Sequence, residues 1–439
     1  MKFYNREKEI GKLQEIREQS LENAQFTVVT GRRRIGKTQL LLKGYENETY
    51  LYFFVTRKSE SFLCQDFQQE ISDKLGVPVL GEIREFSKIF QFLMQLSQER
   101  HFTLIIDEFQ EFLRINPSVF SEMQHYWDIY KNKSKINLFV CGSVYSMMHK
   151  IFEEYEAPLY GRATEFMRLQ PFKVAILKEI LAENYPKYSN DDLLALYAYT
   201  GGVAKYVQLI IDNKAFTKQK MLNYMIREDS QFIADGKNML VEEFGKDYAT
   251  YFTILSCIAR GENTRSQIEN TVGSEVGGYL TRMENDYGLI AKNTPIFAKA
   301  TTKNVHYAIE DNYLIFWFRF IYKYGHIVEI GQFDVLKTII ERDYETYSGK
   351  ILEKYFRIKM LENGTFTQMG NYWNRKGEDE IDIVAVNDLD KTVIIAEVKR
   401  QEKNINYTLL KEKAKNMLQI YPEYKGYNIE FQGLSLTEM

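Results

Sequence analysis

Residues 31 to 38 read Gly31-Arg32-Arg33-Arg34-Ile35-Gly36-Lys37-Thr38, which satisfies the spacing G-x-x-x-x-G-K-[ST]. Each fixed position has its own chemical task. The glycines let the backbone curl so that successive N–H groups point at phosphate oxygens. Lys37 brings a point charge to the two outer phosphates of a triphosphate, and the Thr38 hydroxyl can ligate Mg²⁺. The expected ligand is ATP with Mg²⁺, contacted by Gly31, Arg32, Arg33, Arg34, Ile35, Gly36, Lys37, Thr38 and Gln39. The β-branched run Phe26–Thr30 precedes the loop and Thr38–Lys43 reads as a helix start, so the order is strand, loop, helix.

A second group lies at Leu104-Ile105-Ile106-Asp107-Glu108, an apolar strand ending in two carboxylates. Asp107 would join the Mg²⁺ shell, and Glu108 would orient and deprotonate an attacking water. The next apolar strand ends in Cys141-Gly142-Ser143. There Ser143 either contacts the γ-phosphate or the lytic water, or caps a helix.

A third group sits near the C-terminus. Glu380–Val386 and Thr392–Lys399 read as a hairpin joined at 387–391. A period of two puts Glu397 and Lys399 on one strand face, and Asp382 on the neighbouring strand can bring its carboxylate to the same end. Converging carboxylates suit a second Mg²⁺ or Mn²⁺, and a nearby lysine can stabilise a hydroxide or a phosphate. The spacing Glu-x-Lys alone is common; Glu423-Tyr424-Lys425 has it too, without the paired strands.

These motifs carry two resemblances. Phe3-Tyr4-Asn5-Arg6-Glu7-Lys8-Glu9, the 31–38 loop, Ile106–Gln110 and Leu159-Tyr160-Gly161-Arg162 together resemble the archaeal-type ATPases, AAA+-related proteins close to the signal-transduction ATPases with numerous domains (STAND). That resemblance implies an AAA+-like core, Ser143 as a sensor, and Arg162 as a γ-phosphate or intersubunit arginine; a surface ion pair is the alternative for Arg162. Tyr199–Lys205 is similar to the family's Gly-Gly-x-Pro lid motif, with Ala204 in place of proline. The C-terminal pattern resembles the PD-(D/E)xK restriction-like nucleases. By that resemblance Asp382 and Glu397 are metal ligands, Lys399 is the catalytic lysine, and Glu353 is a further acid carried on a helix. Trp373-Asn374-Arg375-Lys376-Gly377 also resembles the domain commonly fused to these ATPases.

The elements that must position these groups follow an alternating pattern. Apolar strands at 50–55, 104–106, 138–141 and 165–169, separated by helices at 59–74 and 119–130, predict a parallel sheet covered on both faces. The expected fold class is α/β: a P-loop NTPase core at 1–170, a helical lid at 171–235, a winged helix at 236–325, and a restriction-endonuclease-like α/β domain with its connector at 326–439. Helical periodicity runs over 174–194. A helix at 247–260 ends at Gly261, two short helices follow, and 289–309 reads as a hairpin wing. The presumed recognition helix, 276–284, offers only Arg282, flanked by Glu275 and Glu284, while Lys292, Lys299 and Lys303 lie on the wing. A DNA-binding role and a structural or protein-contact role are both open. A connector helix at 335–347 and a helix at 348–361 holding Glu353 lead to the C-terminal strands.

The formal net charge of −3 excludes a whole-molecule basic field, so any nucleic-acid contact must be local. Cys64, Cys141 and Cys257 have no metal-ligand spacing, which suggests buried thiols in a reducing compartment. The N-terminus lacks a signal-peptide pattern. The most apolar run, 313–322, is far short of the ~18 residues of a membrane span and contains Arg319. The expectation is a cytoplasmic ATPase, with no membrane partner, whose nucleotide state controls a nucleic-acid-binding or metal-dependent nuclease domain. The alternative is a STAND-like switch with an inactive C-terminal binding module. DNA, a second copy of the chain or another protein are the expected partners beyond ATP.

Overall fold

The computed structural model describes residues 2–78, 81–299, 301–374 and 379–439. It divides into two compact units, one running to Phe172 and including Val203–Lys205, the other holding Lys173–Gly202 and Tyr206–Met439.

The first unit is built on five strands: β1 (Gln25–Thr30), β2 (Tyr50–Phe54), β3 (Phe102–Asp107), β4 (Ile136–Cys141) and β5 (Glu165–Arg168). Their order is β2-β3-β4-β1-β5, and every neighbouring pair is parallel. Alternate side chains serve opposite faces. Phe26, Val28, Leu104, Ile106, Leu138 and Val140 join one apolar core, while Val29, Ile105, Phe139 and Cys141 join the other. Burial on both faces is why these strands are apolar throughout rather than alternating. Because the strands are parallel, the segments after β1, β3 and β4 all emerge at one edge of the sheet, where ligands of such sheets bind.

In the second unit the periodic stretch 174–194 forms two helices rather than one, Val174–Asn184 and Asn190–Thr200. Pro186 cannot continue a helix, and Ser189 restarts the chain with a capping box to Asp192. The second helix is buried from Leu193 to Thr200 without a break. The helix Tyr248–Arg260 ends at Gly261, whose φ of 98° is the left-handed cap expected there. Helices Arg265–Val272 and Gly277–Asn285 follow, then an antiparallel hairpin of β6 (Ile290–Asn293) and β7 (His306–Ile309). The apolar run near 313–322 is buried: Tyr313, Leu314, Phe316 and Phe318 lie in the core.

The expected connector and the helix after it are one 31-residue helix, Phe333–Asn363. It leads to β8 (Gln368–Trp373), β9 (Glu380–Asn387), β10 (Thr392–Val398), the helix Tyr407–Ile420 and β11 (Asn428–Leu434). The sheet order is β11-β10-β9-β8, with β8, β9 and β10 antiparallel and β11 parallel to β10. Arg375, Lys376 and Gly377 lie outside the described residues. All three cysteines are buried and free. Among the described residues, no helix is long and apolar enough to cross a membrane.

Candidate nucleotide site and a carboxylate–lysine cluster

Strand β1 delivers the chain to Gly31, where φ is +146° and a Cβ would stand 2.7 Å from the Leu169 carbonyl oxygen. Gly36, at φ +96°, turns the loop into the helix Lys37–Gly44. Both positions need glycine for conformation, the first also for space. Lys37 is buried, and its Nζ donates to the carbonyls of Gly31 at 2.8 Å and Arg32 at 3.2 Å. Burial pushes this ammonium below the usual lysine range, against the pull of Cys141, Glu108 and Asp107. A buried cation held only by two loop carbonyls is suited to take a phosphate. Ile35 is a core residue, so it meets a nucleotide only through its backbone; Arg33 and Gln39 are exposed. The Lys205 backbone N–H donates to the Arg34 carbonyl at 3.2 Å. The segment with Ala204 in place of proline therefore still packs on the phosphate loop.

At the end of β3 the two carboxylates separate in role. Asp107 Oδ2 accepts from the Thr38 hydroxyl at 2.6 Å and from the Tyr52 hydroxyl at 2.9 Å, and Oδ1 accepts from the Glu108 N–H at 2.9 Å. Thr38 and Asp107 thus present hard oxygens to one point, a donor set that fits Mg²⁺. Glu108 has φ 54°, a left-handed conformation uncommon outside glycine. Its Oε2 accepts from the Ser143 hydroxyl at 2.8 Å and from the Gln110 side-chain amide. Lys37, Thr38, Asp107, Glu108 and Ser143 are therefore brought together at one sheet edge. Gln110, the last residue of the Ile106–Gln110 motif, gains a role the motif did not state, and Tyr52 is an addition that no linear motif signals. Tyr52 reaches Asp107 only because β2 lies beside β3 in register.

Arg162 makes the surface ion pair that stood as its alternative. It precedes β5, whose Glu165 pairs with Thr27 near the start of β1, so it lies at the sheet edge opposite the phosphate loop. It ion-pairs with Asp128 at 3.3 Å and donates to the Tyr160 carbonyl at 2.9 Å. It cannot reach a phosphate bound in its own chain. Arg6 is buried, donates to Gln170 O at 2.8 Å and covers the Phe172 ring at 5.1 Å, which ties the N-terminal segment to the end of the core.

In the C-terminal sheet Ala396 pairs with Ile383, so the next cross-strand pair outward is Glu397 with Asp382. Both carboxylates are buried. Lys399 Nζ lies 3.1 Å from Glu397 Oε1 and 3.7 Å from Asp382 Oδ2. Burial opposes the Lys399 charge, yet Asp382 and Glu397 hold its pKa above the usual lysine value. Asp382 Oδ2 also accepts from the Val398 N–H at 2.8 Å, and Glu397 Oε2 accepts from the Asn406 N–H at 3.3 Å.

Glu353 is carried on the helix Phe333–Asn363. It pairs with Lys350 on its own helix at 3.1 Å, and burial pushes its carboxyl up to about 7. Among the described residues, no group of three or more His, Cys, Asp or Glu side chains is placed to hold a metal. Asp382, Glu397 and Lys399 form the core of the cluster, and Glu353 is close enough for the Asp382 charge to raise its carboxyl further.

The sheet edge between β1, β3 and β4 is the site of a P-loop ATPase. Residues 3–210 match an ATPase domain found predominantly in Archaea, and residues 317–417 match a domain of archaeal and bacterial proteins of unknown function. The uncharacterized protein MJECL04 of Methanocaldococcus jannaschii is 31% identical over 410 residues, 90% of this chain and 87% of that one. The chain belongs to the same family as that protein, and its ATPase domain is of the type found predominantly in Archaea. The uncharacterized ATP-binding protein MJ0074 of the same organism is 26% identical over 275 residues, 52% of this chain and 75% of that one. Among solved structures, the Walker-type ATPase paby2304 of Pyrococcus abyssi has a TM-score of 0.54 at 21% identity, covering 72% of this chain and 96% of its own. The ORC2 protein of Aeropyrum pernix, solved as ADPNP–ADP complexes, has a TM-score of 0.50 at 14% identity, covering 74% and 96%. At these identities the likeness is one of fold.

Proposed function

We propose that this ATPase couples its nucleotide state to a metal-dependent site in residues 326–439 that cuts or holds nucleic acid, with a helical lid (171–235) and a winged helix (236–325) between them. At the ATPase site Thr38 and Asp107 would hold Mg²⁺, which supplies charge neutralisation on the phosphates. Glu108 takes the proton of the attacking water through Oε1, which carries no hydrogen bond, while Ser143 and Gln110 fix Oε2. Arg162 acts, if on a phosphate at all, on that of a second copy.

One observation supports the nuclease reading: the β9–β10 register sets Asp382 beside Glu397, with Lys399 at salt-bridge distance from both. The element order helix, three strands, helix, parallel strand supports the same reading. A divalent ion held by the two carboxylates would activate water. Lys399 would then turn from its carboxylates to the phosphate. The test uses the full chain with Mn²⁺ or Mg²⁺, single- and double-stranded DNA and RNA, and each substrate with and without ATP. Metal-dependent cutting that Asp382→Ala erases, with ATP hydrolysis retained, supports the reading. A second reading, a switch whose C-terminal sheet only binds, is favoured because no group of three or more His, Cys, Asp or Glu among the described residues is placed to hold a metal. Failure to cut any substrate, with no Mn²⁺ bound beside Asp382 and Glu397, would establish it.

A further inference from the structure

The second unit contains a cavity of about 310 Å³, of whose lining only Glu353 belongs to a motif. Its floor is apolar, from Ile258, Ala259 and Ile309, with the Tyr307 side chain beside them. Its wall is one face of the helix Phe333–Asn363, which contributes Lys350, Lys354 and Arg357. These cations follow one another at four and three residues, so they form a ladder on one face, about 10 Å long at 1.5 Å per residue. With Arg319 the lining holds four cations, against the two carboxylates Glu310 and Glu353.

The cations are not equally satisfied. Lys350 is paired with Glu353 and lies 3.6 Å from Glu380. Lys354 donates to the Glu310 carbonyl and to Asn312 Oδ1 at 3.2 Å, and Arg319 donates to the Ala259 carbonyl at 3.4 Å. Arg357 differs: its Nε is buried and has no hydrogen-bond partner. Burying a guanidinium N–H without a partner is costly. Arg357 is among the residues that line the cavity, and a planar guanidinium fork matches the oxygens of a phosphate. The size falls in the range of small-ligand pockets, and an aromatic ring beside apolar side chains suits a planar base.

We propose that this cavity binds a nucleotide-sized phosphorylated ligand, separate from the ATP site, with the phosphate on Arg357 and the ladder lysines and the base against Tyr307. Two sources share that chemistry: a free mononucleotide, or one nucleotide unit of a nucleic-acid strand. The inference does not depend on nuclease activity, because it uses neither Asp382 nor Lys399.

The experiment uses the full chain carrying Lys37→Ala, so that the phosphate loop takes no nucleotide. It is titrated by calorimetry with nucleoside 5′-monophosphates and, in a second arm, with short single-stranded oligonucleotides. Arg357→Gln should weaken binding at least tenfold, with Arg357→Lys intermediate. Because Arg357 Nε has no partner to lose, these variants should fold, which thermal unfolding checks; Lys350→Gln is the second probe and should also weaken binding. Binding of mononucleotides points to the first source and of oligonucleotides alone to the second; both support the site. No binding of either probe at millimolar concentration, or binding indifferent to Arg357→Gln and Lys350→Gln in folded protein, overturns it.

Discussion

Replacing Glu108 by glutamine isolates the base from everything that surrounds it. The amide has the same shape, and Oε can still accept from Ser143 or Gln110, so the loop at the end of β3 keeps its main restraints. Asp107 keeps its bonds to Thr38 and Tyr52, so the Mg²⁺ side of the site is untouched. What disappears is a carboxylate oxygen able to take a proton. Loss of a general base typically slows a reaction about 10²–10⁴-fold. At about 1.4 kcal/mol per decade this raises the barrier by roughly 3–5 kcal/mol. One exchanged hydrogen bond alters stability by only about 1 kcal/mol, so chemistry and folding separate cleanly. The assay pairs the equilibrium affinity of a fluorescent ATP analogue with single-turnover hydrolysis of labelled ATP. Affinity within about threefold of the native protein and a rate down a hundredfold or more are expected. Hydrolysis close to the native rate in a folded variant would show that Glu108 is a bystander, and that its left-handed backbone has some other cause.

Lys37→Ala should abolish ATP binding while shifting the unfolding temperature of the nucleotide-free protein by only a few degrees, since its Nζ is held there by two carbonyls alone; calorimetric ATP titration and thermal unfolding check the two halves. Asp191→Asn should destabilise the second unit by about 2–3 kcal/mol, below the range for fully buried pairs because part of the side chain meets solvent. Although burial opposes it, Lys218 and Arg400 hold the Asp191 carboxyl below the usual value. A depressed carboxyl stabilises the fold above about pH 4 and loses that contribution as pH falls through its lowered value. Urea unfolding should therefore show a gap between variant and native protein at pH 7 that closes in acid.

The nucleotide site was legible where its chemistry lies in contiguous residues. The phosphate loop and the Asp107–Glu108 pair need only local spacing, and the structure brings them together as read. Tyr52 was not legible, because its role depends on which strand neighbours β3. Arg162 had three open readings because a motif reports chain position and not sheet edge. Pro186 marked the break between the helices Val174–Asn184 and Asn190–Thr200, yet apolar periodicity on either side masked it. The helix Tyr407–Ile420 and β11 went unread, being a charged amphipathic stretch and a strand with little apolar alternation. At the C-terminal cluster the pairing of Asp382 and Glu397 follows from strand period, whereas the partner of Glu353 depends on side-chain choice along its own helix.

The helix Asn190–Thr200 carries a consequence for the order in which this chain is made. It is buried from Leu193 to Thr200, and such a helix needs company on every side. Part of that company arrives late: Asp191 waits for Arg400, 209 residues on, and Asn190 for the carbonyl of Leu436, 246 residues on. At about 5–20 residues per second a ribosome takes roughly 12–50 s to deliver the second of these. For that interval a helix with no polar face has emerged without its final neighbours. Ribosome-bound fragments ending between residues 210 and 400 should accordingly engage chaperones along this helix, and release from them should coincide with synthesis of the last strands.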